Sequence, residues 1–193
     1  MEKLGVVIAI TLMVGMAMRI AHCSNEDQAK EVDEWFQKIP MNAKEKVTKL
    51  HFFFHERFAG NNLTAVRVGR ATVTDTLATQ FGLVSIMDDP LTEGSEPTSK
   101  EIGRAQGLYS FSGQDEVGIL MVMNFVFTSG EFNGSSLTIL GRVSGAPHGE
   151  MPIIGGSGVF RLARGVALAD MREFDIIKTG HAIVEYNLEV IHY

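Results

Sequence analysis

The sequence predicts an all-β fold: an eight-stranded antiparallel β-barrel in a single domain that follows a cleaved signal peptide. Three observations predict it. Beyond residue 46, alternating or β-branched and aromatic segments recur between clusters of Gly, Pro, Asn and Asp, and helical periodicity disappears. No crossover helix separates these segments, so successive strands are expected to run antiparallel. Eight of them with short connections suit a closed barrel or a sandwich, and closure removes exposed strand edges. The 193 residues suffice for one domain with its own core.

The chain divides into three stretches: 1–23, 24–46 and 47–193. Lys3 precedes an uncharged, mostly apolar run from Leu4 to Met18, and Ala21-His22-Cys23 sets small residues before Ser24. This is signal-peptide grammar, and the run is short for a membrane span. The expectation is secretion to the extracellular space, with no membrane span after processing. Residues 24–46 are polar, with one aromatic pair, Trp35-Phe36, and are expected to form a mobile leader with at most a short helical turn.

Residues 47–193 form the barrel domain. Its expected strands are 47–58, 65–74, 82–87, 103–111, 117–128, 135–143, 158–169 and 182–193. Gly60-Asn61-Asn62, Asp88-Asp89-Pro90, Ser112-Gly113-Gln114-Asp115 and Glu131-Phe132-Asn133-Gly134 read as the turns between them. Gly155-Gly156-Ser157-Gly158 lacks the phosphate-loop pattern and reads as a bend or bulge. Asn62-Leu63-Thr64 and Asn133-Gly134-Ser135 are glycosylation sequons in expected turns.

Composition narrows the function. A net charge of −6 without a clustered basic face argues against nucleic acid as a partner. The single cysteine, Cys23, leaves with the signal peptide, so no disulfide, thiolate metal site or thiol nucleophile is expected. No G-x-S-x-G elbow supports a serine hydrolase. No metal and no cofactor are expected.

Counting in twos separates the faces of each strand. On the first strand Leu50, Phe52, Phe54, Glu56 and Phe58 share an apolar face interrupted by one carboxylate. Desolvation would raise the pKa of Glu56 and suit it to donate a proton to a developing oxyanion; at a strand end it would instead reach solvent. On 103–111 the shared face is Gly103, Ala105, Gly107, Tyr109 and Phe111, small residues that would leave room inside a barrel, with a phenol hydroxyl near the end. Phe52, Phe54 and Phe111 are the expected substrate-pocket residues, and Glu56, Tyr109 and Arg142 the candidate catalytic ones. Arg142 would steady a phenolate or quinone-methide oxygen if it faced inward, and would be an ordinary surface arginine if it faced out. His51 and His55 share the opposite face of the first strand without a third metal ligand at convincing spacing. Outer faces still carry Phe53, Leu120, Val122 and Val126, which points to burial between identical subunits.

Taken together, several ordered motifs resemble the plant dirigent family. They are His51-Phe52-Phe53-Phe54-His55-Glu56, Met87-Asp88-Asp89-Pro90, Gly103-Arg104-Ala105-Gln106-Gly107-Leu108-Tyr109, Asn124-Phe125-Val126-Phe127, and the run from Glu150-Met151-Pro152 to Phe160-Arg161-Leu162-Ala163-Arg164-Gly165. Glu56 stands where lignan-forming members carry aspartate. Leu140-Gly141-Arg142 stands near their second aspartate, which places the chain with the dirigent-like branch. The resemblance implies an eight-stranded barrel, an apoplastic or cell-wall glycoprotein, and a homo-oligomer, dimer or trimer. It implies stereoselective coupling of phenoxy radicals from monolignol-type phenols such as coniferyl alcohol, generated by a separate laccase or peroxidase, in lignan and phenylpropanoid metabolism. Such a protein directs coupling without an oxidising centre of its own. A dehydratase or cyclase acting on a quinone-methide precursor, and a non-catalytic phenolic-binding defence protein of the cell wall, are the alternatives on the same barrel.

Overall fold

The computed structural model describes residues 27, 29–39, 43–175 and 180–193. The expected signal peptide over 1–23, with Cys23, lies outside them. The chain forms two compact units, residues 1–44 and 45–193. In the first, residues 29–38 are helical. An i,i+4 ion pair, Lys38 to Glu34 at 3.1 Å, and an edge-on Trp35–Phe36 contact belong to this helix. This helix is longer than the short helical turn expected there.

The second unit is one antiparallel sheet of nine strands: β1 Lys46–Arg57, β2 Ala65–Gly69, β3 Val84–Thr92, β4 Glu101–Phe111, β5 Gly118–Phe127, β6 Ser136–Ser144, β7 His148–Ser157, β8 Arg164–Asp175 and β9 His181–His192. The order is β1-β9-β8-β7-β6-β5-β4-β3-β2, and a further pairing of β1 with β3 closes it. β1 and β2 lie along the same flank of β3, β1 at Leu91 and Thr92 and β2 from Val84 to Met87. They are one strand position interrupted by residues 58–64. The barrel thus has eight positions, as expected. The interruption is pinched at its base, where Thr64 N donates to Arg57 O at 2.9 Å.

Several elements differ from expectation: the strand expected over 65–74 stops at Gly69, and Thr72–Thr76 forms a 3-10 helix. Asp88-Asp89-Pro90, read as a turn, runs through the middle of β3. Pro90 is tolerated because it falls in the gap of β3's outer flank, after β2 stops at Met87 and before β1 joins at Leu91. The strand β7 was hidden by Pro152 and by the glycines at 155 and 156. Its ladder to β6 reaches only residues 153–157, so Pro152 again needs no donor on that side. Residues 158–163 turn the chain into β8, which starts at Arg164 and not at Gly158.

Parity on β1 holds: Leu50, Phe52 and Phe54 pair in register with Leu188, Tyr186 and Val184 of β9, and these residues form part of the core. Gly103 and Gly107 of β4 also face inward, for a reason other than cavity space. A Cβ at these positions would meet the β5 carbonyls of Val126 at 2.3 Å and Val122 at 2.1 Å. The glycines let β4 and β5 approach closely.

Candidate active site at the open end of the barrel

The two ends of the barrel are filled differently. At one, Phe127, Phe132 and Phe160 stack with centroids 4.9–6.0 Å apart, and Phe160 meets the His192 ring at 5.2 Å. Phe52 extends this cluster toward the middle through Phe125, Phe127 and Tyr186. At the other end the inward-facing Tyr109, Phe111, Ile119, Val143 and Ala169 are only half-buried, and Phe174 is 58% exposed. This end is open.

Glu56, near the end of β1, reaches the open end from one side and Tyr109 of β4 from the other. The Tyr109 hydroxyl donates to Glu56 Oε1 at 2.6 Å. Burial raises the Glu56 pKa, and the Tyr109 hydrogen bond opposes that rise without cancelling it. Burial also raises the Tyr109 pKa, reinforced by Glu56, while a hydrogen bond with Ser85 works the other way. The two residues that sequence parity placed on inward faces are therefore in direct contact.

A third acid completes the group. Asp89 of β3 is fully buried, at 0% exposure. Its Oδ1 accepts a short hydrogen bond from Thr64 Oγ1, which itself accepts from Arg57 N at 2.8 Å. Its Oδ2 is buried and unpartnered. Burial, aided by the nearby Glu56 charge, pushes the Asp89 pKa up to about 8, against the Thr64 hydrogen bond. At neutral pH Asp89 is thus mainly a neutral carboxylic acid. With Oδ1 held as an acceptor, Oδ2 is the oxygen free to carry the proton. Asp89 was missed as a site residue because Asp-Asp-Pro resembles a turn. The signal was parity: Leu91, Asp89, Met87 and Ser85 alternate with outward-facing residues.

Of the other candidates, Phe111 meets Tyr109 edge-on at 6.3 Å and lines the opening. Phe54 contacts Tyr186 at 6.1 Å, below the acids, and Phe52 is packed into the core at 1% exposure, so it supports the pocket floor and does not line the opening. Arg142 does not join them. It shares a cross-strand pair with Leu120 on the outer face of β6, and its guanidinium donates to Glu116 at 2.5 Å. Leu137, Ile139 and Val143 hold the inward positions of that strand, so Arg142 is excluded by parity. Asn62 and Asn133 are exposed, in the 58–64 interruption and after a 3-10 turn before β6. His51 lies outside and pairs with Glu185 at 2.6 Å. His55 is buried, bonded to Thr92 Oγ1 at 2.7 Å and stacked on His181.

The molecule is thus a closed antiparallel barrel of eight strand positions with buried acids and a tyrosine at one open end. The chain belongs to the dirigent family: the Dirigent-like protein model matches residues 47–191. It is 45% identical over 166 residues to Dirigent protein 23 of Arabidopsis thaliana, covering 86% of this chain and 88% of that one. It is 47% identical over 152 residues to Pterocarpan synthase 1 of Glycyrrhiza echinata, covering 78% and 80%. The solved structure of a pterocarpan synthase dirigent protein superposes with a TM-score of 0.71 at 44% identity, covering 80% of this chain and 89% of that one.

Proposed function

We propose that the open end of this barrel binds a phenol-derived intermediate and fixes the stereochemistry of its product, with Glu56, Asp89 and Tyr109 moving protons at a quinone-methide stage. The observation that carries this reading is the neutral, buried Asp89 beside the Glu56–Tyr109 pair. Shape alone would not require three ionisable groups out of water, where each is costly unless it has a task. The similarity to pterocarpan synthases supports a dehydratase or cyclase reaction on this pocket.

In that reaction a protonated acid gives its proton to a leaving hydroxyl, the C–O bond breaks and water departs. A conjugated phenol loses its proton to a carboxylate, which leaves a neutral quinone methide. An internal hydroxyl then adds to the methide carbon and gives its proton to the conjugate base of the first acid, while the carboxylate that took the phenol's proton returns it to the methide oxygen. The net change is loss of one water, with no oxidant. The buried Asp89 suits the donor role, and Glu56 with Tyr109 suits exchange at the phenolic oxygen.

Guided coupling of phenoxy radicals made by a separate laccase or peroxidase, with lignan-type products, is the second reading. It is supported by the dirigent relatives and needs the same pocket for orientation. Chiral chromatography separates the two. Conversion of a hydroxylated isoflavonoid precursor to one enantiomer without oxidant supports the first. An enantiomeric excess only when an oxidase supplies radicals from coniferyl alcohol supports the second. Racemic products in both assays would sink both readings.

The same proposal places the protein in the apoplast, processed near Ser24 and glycosylated at Asn62, Asn133 or both. It also makes the protein a homo-oligomer. Val66, Ile86, Leu108, Val122 and Leu140 are successive cross-strand partners on the outer face of β2 to β6, an apolar row that suits a like surface. Light scattering that finds only monomer at micromolar concentration would remove the oligomer from the proposal.

A further inference from the structure

A hollow of about 630 Å³ opens between β2 and the segment that leads to β3. Its volume is in the range that takes a small organic ligand. Val68, Leu77, Ala78 and Leu83 supply its apolar lining, enough for a ring. Its charged residues are Arg67, Arg70 and Asp75. The last two neutralise each other, with Arg70 Nη1 3.1–3.2 Å from the Asp75 carboxylate. Arg67 is exposed and has no hydrogen bond or ion pair among the described residues, so the hollow carries one uncompensated positive charge.

The position of Arg67 ties this charge to the acids. On β2, Arg67 has the same parity as the buried Ala65, and its cross-strand partner on β3 is the buried Ser85. Ser85 in turn is the cross-strand partner of Tyr109 on β4. Arg67, Ser85 and Tyr109 therefore occupy one row across three adjacent strands, and Glu56 closes it. Directly opposed cross-strand side chains start about 5 Å apart, and an arginine can span that gap. A ligand whose phenol end lies at Glu56 and Tyr109 would carry its far end toward Arg67.

We infer that Arg67 and this hollow form a carboxylate-recognition subsite, so that the protein prefers a phenolic acid to the corresponding neutral alcohol. A planar guanidinium matches a carboxylate with two parallel hydrogen bonds, which an alcohol cannot accept in the same way. The inference rests on the phenolic reading of the pocket and adds to it the charge of the ligand.

The test is direct binding, measured by titration calorimetry on the processed, full-length protein. The probes are 4-hydroxy-3-methoxycinnamate and its alcohol counterpart, coniferyl alcohol, which share ring and chain length. The carboxylate should bind at least tenfold more tightly, and added salt should erode that advantage. Arg67→Gln should abolish the preference while leaving alcohol affinity unchanged, which also shows that the variant is folded. Arg67→Lys should retain part of it. Equal affinities in the parent protein, or an unchanged preference in Arg67→Gln, would overturn the subsite and leave the phenolic pocket standing. Binding of neither probe would overturn both.

Discussion

The two ends of one barrel solve opposite problems. At the closed end Phe127, Phe132, Phe160 and Phe52 fill the lumen with aromatic rings, and Phe160 and Phe52 are 0% and 1% exposed. At the open end inward strand positions hold Glu56, Asp89, Tyr109 and Ser85, and the surrounding lining is half-exposed. Burial stabilises the first end, because apolar area leaves water. It destabilises the second, because carboxyl groups are held where their charged forms are poorly solvated. Burial at the plug therefore offsets the cost of holding carboxyl groups out of water at the other end.

The largest loss of stability is expected at the plug. Phe160→Ala should cost about 3–5 kcal/mol of unfolding free energy, typical of a buried phenylalanine. In denaturant titrations the variant should unfold early while keeping the parent's product stereochemistry at low temperature. Lost stereoselectivity in a folded Phe160→Ala protein would mean that the ends are not separable.

At the acid end the sign reverses. The Asp89 pKa rises from 3.8 to about 8 on folding, so between those values the folded chain holds a proton that the unfolded chain has lost. Stability therefore falls as pH rises through that window. Asp89→Asn removes the slope and keeps an acceptor for Thr64. It should leave stability nearly unchanged at pH 4 and raise it by up to about 4 kcal/mol at pH 7, at roughly 1.4 kcal/mol per pH unit. Thermal melts across this range measure it. A melting temperature that shows no pH-dependent gain would mean that Asp89 is ionised in the native barrel.

Much of this contrast was legible in the sequence. Alternation gave the inward faces of β1 and β4 that carry Glu56 and Tyr109, because a period of two survives in any strand with one buried face; their contact came from the structure. What was not legible had physical causes. Asp-Asp-Pro carries the composition of a turn, and only the interruption between β1 and β2 makes Pro90 acceptable in β3. β7 was masked by Pro152 and its glycines in the same way. Arg142 lies near the end of β6, where the pattern Ser136, Thr138, Leu140, Arg142 is too mixed to name a face; the β5 register settles it. Asp89 required knowing both that β3 continues through the turn signal and that Thr64 returns to meet it.

Glu56→Gln tests the acid end as chemistry. Glutamine preserves size and can still accept from Tyr109, but it cannot exchange a proton. The expected loss is about 100-fold in rate or more, within the usual contribution of a positioned acid or base. Fold and oligomeric state should be retained by circular dichroism and light scattering. Full rate and stereoselectivity in this variant would leave orientation as the only function of the pocket.

The smallest effect belongs to Tyr109. Its hydroxyl donates to Glu56 at 2.6 Å, and the ring also packs edge-on against Phe111. Tyr109→Phe keeps the ring and removes one hydrogen bond, worth about 0.5–1.5 kcal/mol. Two consequences should separate. Because that bond stabilises the ionised form of Glu56, its loss should move the Glu56 pKa further up. The pH–rate profile should then shift its lower limb to higher pH if ionised Glu56 is the base. Product ratios should change by only a few-fold, because Phe111 and the barrel wall still orient the ring. A profile that does not move, together with a large loss of selectivity, would reverse the assignment: Tyr109 would contact the substrate directly, and its bond to Glu56 would be a feature of the empty pocket alone.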